Sequence, residues 1–324
     1  MVRKEKMKRL FTATAILAVL IVLFAGCENP FSSNVFASFA TPEAPEGADG
    51  WAEIAEGGVD ALIDELSVLS QSDTFYADLV AQDEAVGPGE QSALDQILEE
   101  LGNVYTNEDG SPIEDPTEEQ EAEIQAAALA AAEIELQTSS GAEVANSLVT
   151  VAFGLIGGDD EGEGEGGGDG GDIVSDVIES AFGGLTGDEF TETLSSLQNA
   201  AVAFEAFGNT IDVETDENGD VVSVDSPPDV NVESVAQNAV VAIALSEIVV
   251  AFEDDNPGET IDSQEELLDL AAQASDETDP NHAASKATFD AAMEALDTNE
   301  AFDNILVASG LADLFSFGDE EEVV

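Results

Sequence analysis

Cys27 is the only thiol in the chain, and the residues before it prepare it for chemistry. Met1-Val-Arg-Lys-Glu-Lys-Met-Lys-Arg9 is basic, Leu10 to Ala25 carries no charge, and Gly26 puts a small residue beside the thiol. A basic patch followed by a short apolar run is the pattern of a secretory signal. A thiol on small flanks is open to an acyl donor, and two or three acyl chains, at about 0.8 kcal/mol per buried CH₂, hold a protein to a bilayer. The expected mature chain begins at Cys27 after removal of residues 1–26; an uncleaved N-terminal helix and simple secretion are the alternatives. A second set of donors is made of oxygens. Glu214, Asp216, Asn218 and Asp225 fall at positions one, three, five and twelve of a calcium loop when Gly219 is taken as the sixth. Against calcium stand a Glu at position one, a short Asp at position twelve, and an alternation of apolar and polar residues on both sides of Asn218-Gly219. That alternation predicts a tight β-hairpin near 211–225 with carboxylates facing water, so no metal is assigned.

The run Leu23-Phe-Ala-Gly-Cys27 resembles the lipobox of bacterial lipoproteins, whose cysteine is lipidated and becomes the first residue of the mature chain. Phe24 stands where the usual box has Leu or another aliphatic residue, and Leu23 lies one place earlier. Looser boxes of this kind resemble those of spirochaetal lipoproteins. The resemblance covers the leader alone, under a tenth of the chain. It implies acylation of Cys27 by palmitate-type chains and a lipid bilayer as partner through the N-terminal anchor. It also implies a place in the bacterial cell envelope facing the periplasm or the exterior.

The remaining chemistry is sparse. His282 is the single histidine, so no histidine cluster for zinc exists, and with 72 acidic residues no one acid can be nominated as its catalytic partner. The same abundance leaves no carboxylate pair distinguished as a glycosidase pair. The glycine-rich stretch from Gly157 to Asp172 lacks the lysine and the strand-to-helix setting of a phosphate-binding loop, and lacks the nine-residue period of calcium-binding glycine-aspartate repeats. No catalytic residue, cofactor or enzymatic activity is assigned.

The charge balance restricts partners. The chain carries 6 Lys and Arg against 72 Asp and Glu, a formal charge of −66. Arg3, Lys4, Lys6, Lys8 and Arg9 all precede Cys27, which leaves Lys286 as the sole Lys or Arg beyond it. Nothing remains to neutralise phosphates, so nucleic acid is not an expected partner. Repulsion on this scale opposes compactness unless ions screen it. Such a composition fits adaptation to a saline medium, with collection of divalent cations as the competing reading.

Elements follow from periodicity. Residues 27–50, with three prolines and no helical stripe, read as a membrane tether. Ile54, Val59, Leu62, Ile63, Leu66 and Leu69 mark an amphipathic helix that begins properly after Gly57-Gly58. Further helices are expected over Ser72–Val80, Glu90–Leu101, Glu118–Gln137, Ala142–Ile156, Ile173–Phe182, Asp188–Gly208, Val232–Phe252, Glu265–Ser275, His282–Leu296 and Glu300–Phe317, the last interrupted at Gly310. Residues 51–156 form an N-terminal helical region, 157–172 a flexible acidic linker, 173–318 a C-terminal helical region, and 319–324 an acidic tail. Val232–Phe252 approaches the length of a membrane span, but Gln237, Asn238, Ser246 and Glu247 favour a buried bundle helix.

Two features suggest stacked helical pairs. Gln198-Asn-Ala-Ala-Val-Ala203 and Gln237-Asn-Ala-Val-Val-Ala242 match at an offset of 39. Phe289-x-x-Ala292 followed by Ala295-Leu296 and Asp297-Thr-Asn299 resembles the second helix of a tetratricopeptide repeat, over about ten residues and without the 34-residue period. The expected fold is all-α, an irregular bundle or stacked αα-hairpins with one small β-hairpin insertion. The expected role is a membrane-anchored structural, interaction or transport-accessory module for an envelope protein. The alternative is a ligand-binding subunit in which Phe182, Phe204, Phe207 and Phe289 line an apolar cavity for a small apolar ligand.

Overall fold

A computed structural model of the 324-residue chain describes residue 45 and residues 50–312, apart from 52, 55–56, 71, 73, 87–90, 115, 157–177, 216–220, 226–229 and 277. In chain order its principal elements are α1 (Val59–Leu69), α2 (Phe75–Glu84), α3 (Ala93–Tyr105), α4 (Glu118–Thr138) and α5 (Gly141–Ile156). Then come α6 (Gly187–Gly208), the strands β1 (Asp212–Thr215) and β2 (Val221–Asp225), and α7 (Val232–Asp255), α8 (Gln264–Ser275), α9 (His282–Thr298) and α10 (Glu300–Ala308). The protein is an all-α bundle carrying one small antiparallel hairpin.

Local chemistry sets the helix ends. Gly58, at φ 97°, takes the left-handed conformation that lets α1 begin at Val59. The α3 helix starts at Ala93 and not at the expected Glu90, with Ser92 and Asp95 closing a capping box: the Asp95 N–H donates to Ser92 Oγ at 3.0 Å, and the Ser92 N–H donates to Asp95 Oδ2 at 3.3 Å. Such caps contribute about 1 kcal/mol each. Thr186 with Glu189, Asn231 and Ser263 play the same part for α6, α7 and α8. At the other end Gly310, at φ 74°, follows α10 at the expected interruption, and residues 313–317 lie outside the described residues.

Packing is organised by three helices. Ala127, Ala128, Ala130, Ala131 and Ala132 of α4 are buried along with Ile124, Ile134 and Leu136. Small side chains on several faces allow neighbours to approach on all of them, and α4 packs against α1, α2, α3, α5 and α6. The same logic holds for α7, whose Ala239 to Leu245 are all buried, and which packs against α5, α6, α9 and α10. The α6 helix lies between these two and makes its most extensive contacts with them. Cross-links give the directions: Gln125 Nε2 donates to the Thr210 carbonyl at 3.3 Å and Asn199 Nδ2 to Glu135 Oε1 at 3.0 Å, so α4 and α6 run antiparallel.

The expected 157–172 linker lies outside the described residues, but the helices on its two sides share one apolar core from Trp51 to Leu306. The α7 helix is apolar enough over Ser234–Asp255 to meet the length and composition of a membrane span, yet 67% of its apolar window is buried among neighbouring helices. The matching strings at offset 39 fall on α6 and α7 but meet different surroundings. Asn199 reaches across to α4, whereas Gln237 and Asn238 are buried, and Asn238 Nδ2 donates to the Ser234 carbonyl of its own helix at 3.5 Å.

In the hairpin, Val213 pairs with Val224 and both pack against the core, while Asp212 pairs with Asp225 and Glu214 with Ser223 on the opposite face. A register shift falls between Glu214 and Thr215, and α10 packs against both strands.

Candidate functional site

Cys27 lies outside the described residues, as do Asp216 and Asn218. Glu214 and Asp225, expected at the two ends of an oxygen-rich loop, belong instead to facing strands, and they stand opposite Ser223 and Asp212 and not opposite each other. Glu214 is exposed and accepts a hydrogen bond at Oε2 from Ser223 Oγ at 2.9 Å. Among the described residues no three His, Cys, Asp or Glu side chains converge as a metal site. Phe182, Phe204 and Phe207 are buried, and Phe289 is half-buried against the core. The Phe182 ring packs against Phe190 with centroids 5.2 Å apart and planes inclined at 56°. An open groove between α1 and α4 is lined by Asp60, Ile63, Asp64, Ala122, Glu123 and Ala126 and by none of these aromatics. His282 Nδ1 sits 3.2 Å from the Gln273 carbonyl oxygen, within the α8–α9 hairpin. Lys286 pairs with Asp290 one turn along α9.

The structure also brings together residues that sequence reading passed over. Glu133 and Glu135 on α4, Glu205 on α6 and Glu247 on α7 carry carboxylates into helix interfaces. Glu135 is 8% exposed; Asn199 and Ser196 of α6 donate to it, yet burial pushes its carboxyl up to about 7. Glu133 Oε1 accepts from the Tyr76 hydroxyl at 2.8 Å, and burial again raises the carboxyl above its ordinary range. Burial and the charge of Glu133 raise the Tyr76 hydroxyl in turn, and burial and Glu135 do the same for Tyr105. Glu205 is pushed up to about 7, first by burial and then by the charge of Glu247, against an opposing hydrogen bond from Asn299 Nδ2 at 2.7 Å. Burial raises Glu247 as well.

No protein-family model, curated protein or solved structure matches this chain. Each buried carboxyl has a hydroxyl or amide donor, or a second carboxyl, as its neighbour, and the basic residues Lys286 and His282 are engaged elsewhere. Burial raises carboxyls of this kind above their ordinary range. Their signal in the sequence was local. Glu133 and Glu135 flank Ile134 in an alanine-rich helix, Glu205 sits in Phe204-Glu-Ala-Phe207, and Glu247 is the single carboxylate of the Val235–Phe252 stretch.

Proposed function

We propose that this protein is a lipid-anchored, extracytoplasmic helical module of a bacterial envelope, acylated at Cys27. Its body serves as a structural, interaction or transport-accessory partner for another envelope protein, without catalysis of its own. The observation that supports a binding body over a ligand pocket is the filled interior: Phe182 and Phe207, candidates for a cavity wall, have no exposed surface and pack into the core. The anchor is supported by the basic start, the uncharged run and the Gly26-Cys27 junction, with residues 28–50 as the tether to the core that begins at Trp51.

Intact-mass measurement on protein extracted from its native membrane tests the anchor. Loss of residues 1–26 together with the mass of added acyl chains is expected, and Cys27→Ser should release the chain from the membrane fraction. A mature chain starting elsewhere, or an unmodified Cys27, would sink this reading. Native mass spectrometry tests the body: a stoichiometric small apolar molecule retained by the protein would transfer the reading to a ligand-binding subunit.

A further inference from the structure

The groove between α1 and α4 has an apolar floor and acidic rims. Asp60 and Asp64 lie one turn apart on α1, about 6 Å along its axis, and Ile63 falls between them. On α4, Ala122 and Ala126 are likewise one turn apart, with Glu123 beside them. The space between the two helices encloses about 500 Å³ and opens to solvent. Alanines on one wall leave room that larger side chains would fill, so another chain can come close to both helices.

The acids of this groove have not been used by the fold. Asp60, Asp64 and Glu123 are exposed, and among the described residues none of the three side chains has a hydrogen-bond or ion-pair partner. Elsewhere comparable acids are engaged, Asp95 with Ser92, Glu189 with Thr186 and Asp290 with Lys286. The chain has no cation to offer here: Lys286 is paired on α9, and His282 sits against the Gln273 carbonyl in the α8–α9 hairpin. Apolar surface between unpaired carboxylates matches the build of a Lys or Arg side chain, whose aliphatic stem lies on apolar groups while its charged head reaches past them. Arg matches best, because its planar fork can hold a carboxylate through two hydrogen bonds.

We propose that this groove docks a basic amphipathic helix of a partner protein, with Arg or Lys side chains at i and i+4 meeting Asp60 and Asp64 and small apolar side chains resting on Ile63, Ala122 and Ala126. The proposal rests on the reading of the body as an interaction module and names the partner's chemistry. Two cations one turn apart on a helix laid along α1 reach both aspartates together, and Glu123 across the groove receives a third. A chain of formal charge −66 attracts any polycation, but that attraction follows total charge and is screened by salt. The groove adds spacing and apolar contact, which distinguish one arrangement of the same charges from another.

Fluorescence anisotropy with two labelled synthetic peptides and the full chain, at about 0.5 M NaCl to suppress diffuse attraction, tests this. The first peptide is an alanine- and leucine-based helix with arginines at i and i+4 on one face; the second has the same composition with the arginines dispersed around the helix. The first should bind at least about tenfold more tightly. Asp60→Asn combined with Asp64→Asn should erase that difference, and so should Ala122→Leu, which removes no charge and fills the open wall. Glu253→Gln combined with Asp297→Asn, an equal loss of charge at exposed positions on α7 and α9, should keep it. Equal binding of the two peptides by the parent chain, a difference that survives in either groove variant, or one that disappears in the distant variant would overturn the proposal and leave diffuse attraction alone. Intact mass at Cys27 and native mass spectrometry judge the anchor and the body whatever the peptides do, so failure of the groove is distinguishable from failure of that reading.

Discussion

Asn199 on α6 donates from Nδ2 to Glu135 Oε1 on α4 at 3.0 Å, so the two helices with the most extensive contact in the bundle are joined through a carboxyl that is only 8% exposed. Glu135 and Glu205 are both pushed up to about 7 by burial. A carboxyl raised in the folded chain contributes stability that is full below its unfolded value, at about 4.3 for Glu, and lost as pH rises through the folded value. The melting temperature at fixed ionic strength should therefore climb as pH falls from 8.5 to 5. Glu189 and Asp276, lowered by hydrogen bonds from Thr186 and Thr278, act in the opposite sense but below that window. Glu135→Gln should raise the melting temperature at pH 8.5 and flatten part of the slope. A melting temperature that drops on acidification over this range would contradict the burial of these groups.

Gly208 and Gly102 should respond oppositely to alanine. At Gly208 the new Cβ meets the backbone of Ala301, which cannot turn aside as a side chain could, and a loss of about 1–3 kcal/mol is expected. At Gly102, inside α3, the space around an added Cβ is open. There the substitution should stabilise by about 0.4–1 kcal/mol, because alanine restricts the unfolded chain. Urea unfolding of both variants measures the difference.

Phe182 and Phe289 separate a packed core from a binding cavity. Phe182 has no exposed surface and packs at a tilt against Phe190, so Phe182→Ala should cost about 3–5 kcal/mol. Phe289, half-buried on α9, should cost clearly less. A Phe182→Ala protein as stable as the parent in chemical denaturation would show that its ring fills no essential space.

Salt should stabilise the fold. At a formal charge of −66, added ions shorten the range of repulsion to a Debye length of about 3 Å at 1 M. Circular-dichroism melts from low to molar NaCl should give a rising midpoint, and a KCl series should reproduce it. A flat series would mean the carboxylates are already spaced or neutralised well enough not to matter.

Calcium should behave as a diffuse counterion. Glu214 is engaged by Ser223 and lies across the hairpin from it, not at the mouth of a loop shared with Asp225. Calorimetry at about 0.15 M NaCl should give weak, multi-site uptake that largely disappears at 1 M, where screening is complete within about 3 Å. A one-to-one event surviving 1 M NaCl and lost on Asp216→Ala with Asn218→Ala would reverse this expectation.

Read alone, the sequence determined which segments are helices and where the hairpin lies. Apolar spacing of three and four residues, the Gly58 start, and alternation around Asn218-Gly219 are local properties, and local backbone and side-chain preferences respond to them directly. It also determined the extreme charge. What it left open was set by contacts between residues far apart in the chain. Glu133, Glu135, Glu205 and Glu247 are four among 72 acidic residues, and nothing in their own type separates them from solvated ones. Only the approach of α2 to α4 at Glu133, and of α6 to α4, α7 and α10 at the others, takes them out of water and supplies Tyr76, Asn199 and Asn299 as partners. The same holds for the aromatics: composition allowed Phe182, Phe204, Phe207 and Phe289 to wall a cavity or to fill a core. Tertiary packing placed them against neighbours because three alanine-rich or small-residue helix faces bring the bundle close enough to close around their rings.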